Sequence, residues 1–320
     1  MRSNRLTTAA RDTKGRIGNG GVITLRPPAK INISLVVFGR RPDGYHDLHT
    51  VMATVDMHDD LTIRPGATQG LQLRCTGYDV PEGSDNLVFQ AAHLLSQYAK
   101  KSLALEVHLH KRIPSGAGLG GASSDAAMCL LGLNHLWDLN LSTEELSPLA
   151  AQLGSDVSFF LHTPTALCTG RGEIVKKLPH HCRRSVLLII PDISVSTARV
   201  YENFQYHSSR SEEDLRRVNY FMRLGDLDGL ITQGINSLTG TTMNLFPALR
   251  KLRDKIEALG IGPVIMSGSG SCMFVTSESA GQVSLWAQAI QKKSLAKVKI
   301  VSFHDHAEPF LEVHHADIRD

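Results

Sequence analysis

The sequence predicts an α+β fold with two lobes that meet near residues 160–185. Its 320 residues are enough for about two domains, and its 42% hydrophobic and 20% charged residues are typical of a globular protein. In each half of the chain, segments with the pattern of strands come first and helical segments follow. Because strands and helices do not alternate strictly, a parallel α/β fold is disfavoured.

Short apolar or alternating segments predict the strands of the first half. In chain order they cover residues 22–25, 31–38, 49–55, 61–64, 71–75 and 103–109. Apolar residues three and four positions apart predict a helix over 86–98, and a second helix over 124–137 follows a glycine-rich segment. Ser142 and Glu145 have the spacing of a capping box, which predicts a helix that ends near residue 153.

The same patterns predict the elements of the second half. The predicted strands cover residues 165–169, 174–178, 186–190, 264–266, 273–276 and 298–303. The predicted helical regions cover residues 196–235, 245–259 and 279–291, and Gly260 is expected to end the second of them. The two strands on either side of residues 267–271 are expected to form a hairpin.

The charge distribution gives no general support for nucleic-acid binding. The formal charge is +3, but residues 1–20 carry a net charge of +4 and the remaining residues a net charge of −1. A nucleic-acid-binding protein normally has a basic face across its fold. We expect residues 1–20 to form a flexible basic extension, and a weak transit signal or an alternative start are the open alternatives.

The lack of a targeting signal in the sequence and the pattern of its cysteines both suggest a cytoplasmic protein. No apolar run approaches the length of a transmembrane helix, and the N-terminal segment lacks the apolar core of a signal peptide. The five cysteines are widely spaced and form no C-x-x-C pattern, which suits reduced thiols. We therefore expect neither a membrane partner nor a nucleic-acid partner.

The most informative motif is a glycine-rich loop that leads into a predicted helix. Its four glycines leave the backbone open to close approach by a ligand: Gly116, Gly118, Gly120 and Gly121. Ser123 and Ser124 are expected to cap the following helix, whose free N–H groups and dipole favour a bound phosphate. The alternative is a surface turn with a serine cap.

The common nucleotide-binding motifs do not describe this loop. Gly116, Gly118 and Gly121 formally match the dinucleotide fingerprint, but no second parallel strand with a terminal acidic residue follows. Ala122 follows Gly121 where a Walker A loop requires lysine, and the H-R-D and D-F-G motifs of protein kinases are absent. A nucleotide can still bind here, but in a different fold.

Two further motifs complete a family pattern. They are Pro27-Pro-Ala-Lys-Ile-Asn32 near the start and Met266-Ser-Gly-Ser-Gly-Ser-Cys272 near the end. Together with the glycine loop they resemble, in order and spacing, the motifs of the GHMP small-molecule kinases over residues 22–303. Within that superfamily, the diphosphocytidyl-methylerythritol kinases are the more similar branch. That similarity is carried by residues 28–35, Gly39-Arg-Arg-Pro-Asp-Gly-Tyr-His46 and Leu153-Gly-Ser-Asp-Val-Ser-Phe-Phe160.

The resemblance implies the two-lobed GHMP kinase fold. Its N-terminal lobe would be similar to the second domain of ribosomal protein S5, and its C-terminal lobe would be ferredoxin-like. We expect the ATP-binding N-terminal lobe over residues 21–178 and the C-terminal lobe over residues 179–320. The implied activity is ATP-dependent phosphorylation of the 2-hydroxyl of 4-diphosphocytidyl-2-C-methyl-D-erythritol in the non-mevalonate isoprenoid pathway, with Mg²⁺.

The same resemblance implies catalytic roles for two residues. Asp156 is expected to act as the base and Lys30 as its cationic partner. An alcohol must lose its proton as it attacks the γ-phosphorus, so a positioned carboxylate is a suitable base. Lysine would keep that carboxylate ionised and oriented. The structural alternatives are a solvated surface lysine for Lys30 and a turn or N-cap residue for Asp156.

The remaining implied contacts involve the substrate and ATP. Asn32 is expected to contact the methylerythritol end of the substrate, and Tyr45 and His46 are expected to hold the cytosine. Thr197 and Tyr201 are expected to make further substrate contacts. The glycine loop is expected to hold the ATP phosphates through residues Pro114, Ser115, Gly116, Ala117, Gly118, Leu119, Gly120, Gly121, Ala122, Ser123 and Ser124.

Several points stay open at the level of sequence. The alternative functions are another GHMP kinase, acting on homoserine or a mevalonate-type alcohol, and a non-catalytic ligand-sensing relative. The family's usual Asn-Asp pair reads Asn236-Ser237 here, so no role is assigned to Ser237. Asp125 would lie close to the nucleotide phosphates and repel them unless a cation intervenes. The metal ligands and the oligomeric state are not predicted.

Overall fold

The structure, a computed structural model, describes residues 21–162, 164–179, 182, 184–304 and the strand Leu311–His314. The predicted basic extension of residues 1–20 lies outside the described residues. The described part of the chain forms thirteen strands and ten helices. Helices and strands are mixed without strict alternation, which confirms the predicted α+β class.

The strands follow the predicted segments, most of them with longer ends. They are β1 (Val22–Leu25), β2 (Pro28–Arg40), β3 (His46–His58), β4 (Asp60–Pro65), β5 (Gly70–Gly77), β6 (Ala104–Lys111), β7 (Thr165–Gly170), β8 (Ile174–Lys177), β9 (Ser185–Ile190), β10 (Ile265–Met266), β11 (Met273–Ser277), β12 (Lys297–Ser302) and β13 (Leu311–His314). The predicted hairpin is confirmed, since β10 and β11 pair antiparallel.

The helices include two short ones that the sequence patterns missed, α4 and α8. They are α1 (Leu87–Ala99), α2 (Gly121–Leu136), α3 (Thr143–Leu153), α4 (Val157–Phe160), α5 (Thr197–Glu202), α6 (Ser208–Leu224), α7 (Leu227–Thr232), α8 (Thr239–Leu245), α9 (Pro247–Glu257) and α10 (Ala280–Lys292). The capping box of α3 is confirmed, because Ser142 accepts from the Glu145 N–H and Glu145 accepts from the Ser142 N–H.

The strands are arranged in three sheets. The first has the order β13-β1-β4-β6-β5 and is antiparallel except for the β5–β6 pair. The second has the order β2-β3-β7-β8, and the third has the order β10-β11-β9-β12. The predicted lobe boundary falls between β8 and β9, and β13 returns to the first sheet beside β1. The boundary itself stays a prediction.

Two expectations about helix ends are wrong. Helix α2 begins at Gly121, and its N-cap is Gly120 rather than Ser123 or Ser124. Gly120 has φ +71°, a left-handed conformation that turns the loop directly into the helix without a side-chain cap. The helix predicted over 245–259 is α9, which begins only at Pro247, because a proline at the first helical position cannot continue a helix through Phe246.

Strand β2, which we call the seam strand, lies between the two halves of the chain and bonds to both. One edge of β2 pairs with β3 along its whole length. On the other edge, the Lys30 N–H donates to Leu119 O at 2.9 Å, and the Leu35 N–H donates to Ile235 O at 2.8 Å. The glycine loop and the segment before α8 are thus both bonded to β2. Its first residues therefore lie where the two halves meet.

Helix α2 packs closely on the first sheet. Its buried residues, among them Ala126 and Leu133, join the largest apolar cluster with residues of β1, β4, β6 and α1. The approach is closest at Gly132, where a Cβ atom would lie 2.9 Å from Leu25 Cδ1 and 3.0 Å from Ile63 Cδ1. The start of α2, and with it the end of the glycine loop, is held by this packing.

In the part of the chain that the structure describes, no helix has both the length and the apolar character needed to cross a membrane.

We predict that Gly132→Leu lowers the free energy of unfolding by about 2 kcal/mol, because overpacking a filled contact forces side chains and backbone apart. The measurement is urea unfolding followed by circular dichroism. Gly240→Leu is the matched control, since nothing lies within 4 Å of a Cβ built at that helical glycine. Equal stabilities of the two variants would contradict the close packing of α2.

Candidate active site

A cavity of about 880 Å³ lies beside the start of β2, between the glycine loop, α4 and α5. Its wall includes the predicted site residues with one exception: Lys30, Asn32, Tyr45, His46, residues 114–123, Asp156, Thr197 and Tyr201. The exception is Ser124, which is fully buried in the first turn of α2. The structure therefore brings residues from five separate segments of the sequence to one place.

Lys30 and Asp156 both line the cavity, and their side chains form an ion pair. Lys30 is only 3% exposed, so the alternative of a solvated surface lysine is wrong. Its Nζ lies 3.3 Å from Asp156 Oδ2. Asp156 occupies the N-cap position of α4, but its side chain makes no capping hydrogen bond and is 35% exposed. The carboxylate is therefore paired with an ammonium and still open to a ligand.

Asn32 holds the Lys30 ammonium from the other side. The Lys30 Nζ donates to Asn32 Oδ1 at 2.8 Å, and Asn32 Nδ2 donates to Thr50 Oγ1 at 2.9 Å. Thr50 in turn donates to the Ser34 carbonyl at 2.6 Å, which fixes the direction of each hydrogen bond in the chain. Thr50 lines the cavity too, and no sequence motif pointed to it.

Three alternate residues of the glycine loop have a left-handed backbone conformation. Gly116, Gly118 and Gly120 have φ values of +65°, +75° and +71°, which favour glycine at each position. A Cβ at Gly118 would lie 2.3 Å from Ser267 O, and one at Gly120 would lie 2.9 Å from Lys30 Cγ. Both glycines are therefore required by close contacts as well as by backbone conformation.

The turn at residues 267–271 closes the cavity from the C-terminal half. Ser267 Oγ donates to Gly118 O at 2.9 Å, and the Thr197 and Ser269 hydroxyls lie 2.8 Å apart. Asn236 Nδ2 donates to Met266 O at 2.8 Å and to Gly268 O at 2.9 Å. The sequence predicted the turn, whereas the contribution of Asn236 depends on a tertiary contact across thirty residues.

Ser237, for which the sequence offered no role, bonds to β2. Its N–H donates to Leu35 O at 2.8 Å, and its Oγ accepts from the Val37 N–H at 3.1 Å. Ser237 thus satisfies two backbone groups of the seam strand.

A buried group of three charges lies behind the glycine loop. Lys111 Nζ donates to Asp125 Oδ2 at 2.6 Å and also to Asp59 Oδ2. Burial raises the pKa of the Asp125 carboxyl above its usual range, and the Lys111 ammonium opposes that effect. Burial would lower the pKa of Lys111, but the charges of the two carboxylates raise it above its usual value. The cation beside Asp125 is therefore Lys111.

Two oxygen atoms at the start of α2 have unused hydrogen-bonding capacity. Ser124 Oγ and Asp125 Oδ1 are buried, and neither has a hydrogen-bond partner among the described residues. Hydroxyl and carboxylate oxygens are ligands that Mg²⁺ accepts, usually together with water and substrate phosphates. Within the described ranges, no group of three histidine, cysteine, aspartate or glutamate residues could hold a metal alone.

The end of the cavity beyond Asn32 is aromatic. The ring centroid of His46 lies 5.5 Å from that of Tyr201 and 5.9 Å from that of Phe204. The Tyr45 ring is half exposed and lies under the Arg171 guanidinium, with 4.8 Å between Arg171 Cζ and the ring centroid. Burial, and to a smaller extent Arg40, lower the pKa of His46, so that its imidazole is neutral at pH 7.

The aromatic end contains residues that the sequence analysis did not identify. Arg171 follows β7, while Phe204 and Tyr206 follow α5, and all three line the cavity. The spacing of aromatic residues from Tyr201 to Tyr206 was the only available signal in the sequence. Flat rings and a neutral imidazole suit a planar heterocyclic ligand.

Comparison with known proteins identifies the family of both halves. Residues 86–163 match the family described as GHMP kinases N terminal domain, and residues 212–295 match GHMP kinases C terminal. These two regions include the glycine loop, Asp156 and the 267–271 turn.

Two similar proteins identify the branch of the GHMP kinases that this chain resembles. A protein of Listeria monocytogenes serotype 4a (strain HCC23) named 4-diphosphocytidyl-2-C-methyl-D-erythritol kinase is 38% identical over 252 residues, which are 79% of this chain and 86% of that protein. A protein of the same name from Pelotomaculum thermopropionicum (strain DSM 13744 / JCM 10971 / SI) is 39% identical over 266 residues, covering 82% and 93%.

A solved structure agrees with the relatives. The crystal structure of 4-(cytidine 5'-diphospho)-2C-methyl-D-erythritol kinase superposes with a TM-score of 0.69 and 32% identity, and it covers 88% of this chain and 100% of its own. The two-lobed fold expected from the motifs is therefore confirmed. The chain belongs to the 4-diphosphocytidyl-2-C-methyl-D-erythritol kinases, a family of ATP-dependent small-molecule kinases within the GHMP superfamily.

Proposed function

We propose that the protein transfers the γ-phosphoryl group of ATP to the 2-hydroxyl of 4-diphosphocytidyl-2-C-methyl-D-erythritol, in the non-mevalonate route to isoprenoid precursors. The observation that carries the proposal is the 3.3 Å pair between Lys30 and Asp156 in a cavity that also holds the glycine loop and an aromatic end. The names of the relatives support the choice of substrate.

Asp156 acts as the base in this proposal. Its partly exposed carboxylate accepts the proton of the 2-hydroxyl as that oxygen forms a bond to the γ-phosphorus and the bond to the β-phosphate oxygen breaks. Lys30, bound to both Asp156 and Asn32, holds the carboxylate in place beside the cavity. ADP leaves, and the proton remains on Asp156 until solvent removes it.

The glycine loop binds the phosphates through its backbone. Residues 114–123 line the cavity, and the first turn of α2 directs its N–H groups and the positive end of its dipole toward the loop. Mg²⁺, when bound, would neutralise phosphate charge, but Ser124 and Asp125 do not fit as its ligands in this structure, because neither lines the cavity and their unpartnered oxygens are buried.

The acceptor substrate lies between Asn32 and the aromatic end. Asn32 contacts its methylerythritol portion beside Lys30 and Asp156. Tyr45 and Tyr201 provide ring faces for the cytosine, and the neutral imidazole of His46 provides one donor and one acceptor for its edge. Thr197, whose hydroxyl is 2.8 Å from that of Ser269, connects this region to the turn that touches the glycine loop.

We predict that Asp156→Asn lowers kcat by at least about 100-fold, because the amide cannot accept the hydroxyl proton. The measurement is ADP release with diphosphocytidyl-methylerythritol as acceptor, with homoserine and mevalonate as alternative acceptors. The variant should fold but unfold at a lower temperature, because the buried Lys30 ammonium loses its anionic partner. A wild-type rate in the variant would remove Asp156 as the base, and preferential use of homoserine or mevalonate would overturn the substrate.

We predict that Gly118→Ala weakens ATP binding more than Gly116→Ala does. Both residues have positive φ, so the two variants share the conformational cost of a Cβ atom. Only at Gly118 does that atom collide with backbone, at 2.3 Å from Ser267 O, whereas at Gly116 the nearest atom is Ser194 Oγ at 3.4 Å. We expect a KM for ATP at least about tenfold higher in Gly118→Ala, and equal KM values would contradict the argument.

We predict that the KM for the cytidine substrate rises in solutions more acidic than the ordinary histidine pKa of about 6.5, because His46 becomes protonated there and loses its acceptor nitrogen. The sign follows from the lowered pKa of His46, which keeps the imidazole neutral at pH 7 and charges it only in more acidic solution. In His46→Gln the KM should be higher and independent of pH over this range. A pH-independent KM in the wild type would contradict the role of His46.

A further inference from the structure

We propose that Asp59 is a positioning residue for the glycine loop: with Lys111 it fixes the first residues of the loop, and so sets the geometry with which the loop binds ATP. The inference rests on the proposed ATP-binding role of the loop. Asp59 itself does not line the cavity, so it would act on the nucleotide only through the backbone that it holds and through Lys111, which does line it.

Asp59 binds three donors on three successive residues. It lies between β3 and β4 and is fully buried. Its Oδ1 accepts from the Ile113 N–H at 2.8 Å and from the Arg112 N–H, while its Oδ2 accepts from Lys111 Nζ. These three residues run from the last position of β6 to the residue before Pro114. The carboxylate therefore fixes the path by which the chain leaves the sheet and enters the loop.

The same aspartate is tied to the start of the seam strand. The Asp59 N–H donates to Pro27 O at 3.0 Å, one residue before β2 begins. Three residues later on β2 is Lys30, whose N–H donates to Leu119 O at the far end of the loop. Asp59 thus sets the loop's first residues relative to the strand that carries the catalytic lysine.

Lys111 extends this connection to the other end of the loop. Its ammonium also binds Asp125 at 2.6 Å, in the first turn of α2, and a Cβ at Gly121 would lie 3.1 Å from its Nζ. Because Lys111 is the last residue of β6, its ammonium joins the strand before the loop to the helix after it. Asp59, which lies in neither β6 nor α2, binds the same ammonium.

The charges of this group favour positioning over attraction of phosphate. The Lys111 side chain is 2% exposed and its ammonium is bound by two carboxylates, which oppose its charge. Two carboxylates and one ammonium do not attract an anion. A buried charged group with all three members in contact does, however, hold its elements in one arrangement, because loss of one member leaves an unpaired buried charge.

The experiment compares two neighbouring aspartates. Asp59→Asn keeps the size and one acceptor oxygen but removes the charge that holds Lys111. Asp60→Asn is the matched control, because Asp60 is partly exposed and pairs with Arg112 at 2.5 Å on the surface. Binding of the β,γ-methylene analogue of ATP with Mg²⁺ is measured by calorimetry on the full chain. Steady-state KM values for ATP and for the cytidine substrate are measured in parallel.

We expect Asp59→Asn to weaken analogue binding at least tenfold and to raise the KM for ATP, with the KM for the cytidine substrate unchanged. Asp60→Asn should stay within twofold of the wild type in all three. Near-UV circular dichroism and the unfolding temperature report folding. Wild-type analogue affinity in folded Asp59→Asn, or equal rises in both KM values, would overturn the inference and leave Asp59 a structural residue.

A second variant keeps the test decisive if Asp59→Asn does not fold. Asp59→Glu retains the charge but moves the carboxylate by one methylene, so it cannot keep both the backbone and the Lys111 contacts. It should lose analogue affinity severalfold, and wild-type affinity in this variant would overturn the inference. Because the binding assay uses no acceptor, a wild type that binds the analogue without phosphorylating the cytidine substrate would refute the proposed function alone.

Discussion

The rest of the site depends on one constraint, the burial of the Lys30 ammonium. A charged group removed from water costs several kcal/mol unless partners replace its hydration. Asp156 and Asn32 are those partners. The lysine stem also needs space: a Cβ at Gly120 would be 2.9 Å from Lys30 Cγ, and one at Gly268 would be 3.5 Å from Lys30 Nζ. The lysine side chain therefore explains Gly120, whereas Gly268 is explained by its left-handed φ of +54°.

The site is shared between the halves of the chain, and hydrogen bonds to backbone atoms hold the halves together. Ser267 connects the C-terminal turn to Gly118, Asn236 holds the turn itself, and Ser237 bonds to β2. These bonds are buried or partly buried, so an unpaired donor or acceptor there would be costly. Several hydrogen bonds together thus hold the glycine loop against the turn.

The sequence predicted what depends on local spacing. The capping box of Ser142 and Glu145, the hairpin of β10 and β11, and the order of strands follow from neighbouring residues. The start of α2 was misplaced because a serine pair resembles a cap, whereas Gly120 makes the turn by its conformation. Asp59 could not be connected to Lys111, since 52 residues separate them and only the pairing of β4 with β6 brings them together.

The pairing of β2 with β3 has a consequence for which molecules fit the cavity. Lys30 and Asn32 lie near one end of this antiparallel pair, and Arg40 pairs with His46 near the other. The distance between Lys30 and the aromatic residues is therefore set by a ladder of backbone hydrogen bonds, which does not stretch. This strand pair acts as a rigid spacer, so an acceptor must have the right length as well as the right chemical groups. A small alcohol without a nucleotide could occupy one end only, and it would lose the binding energy of the other.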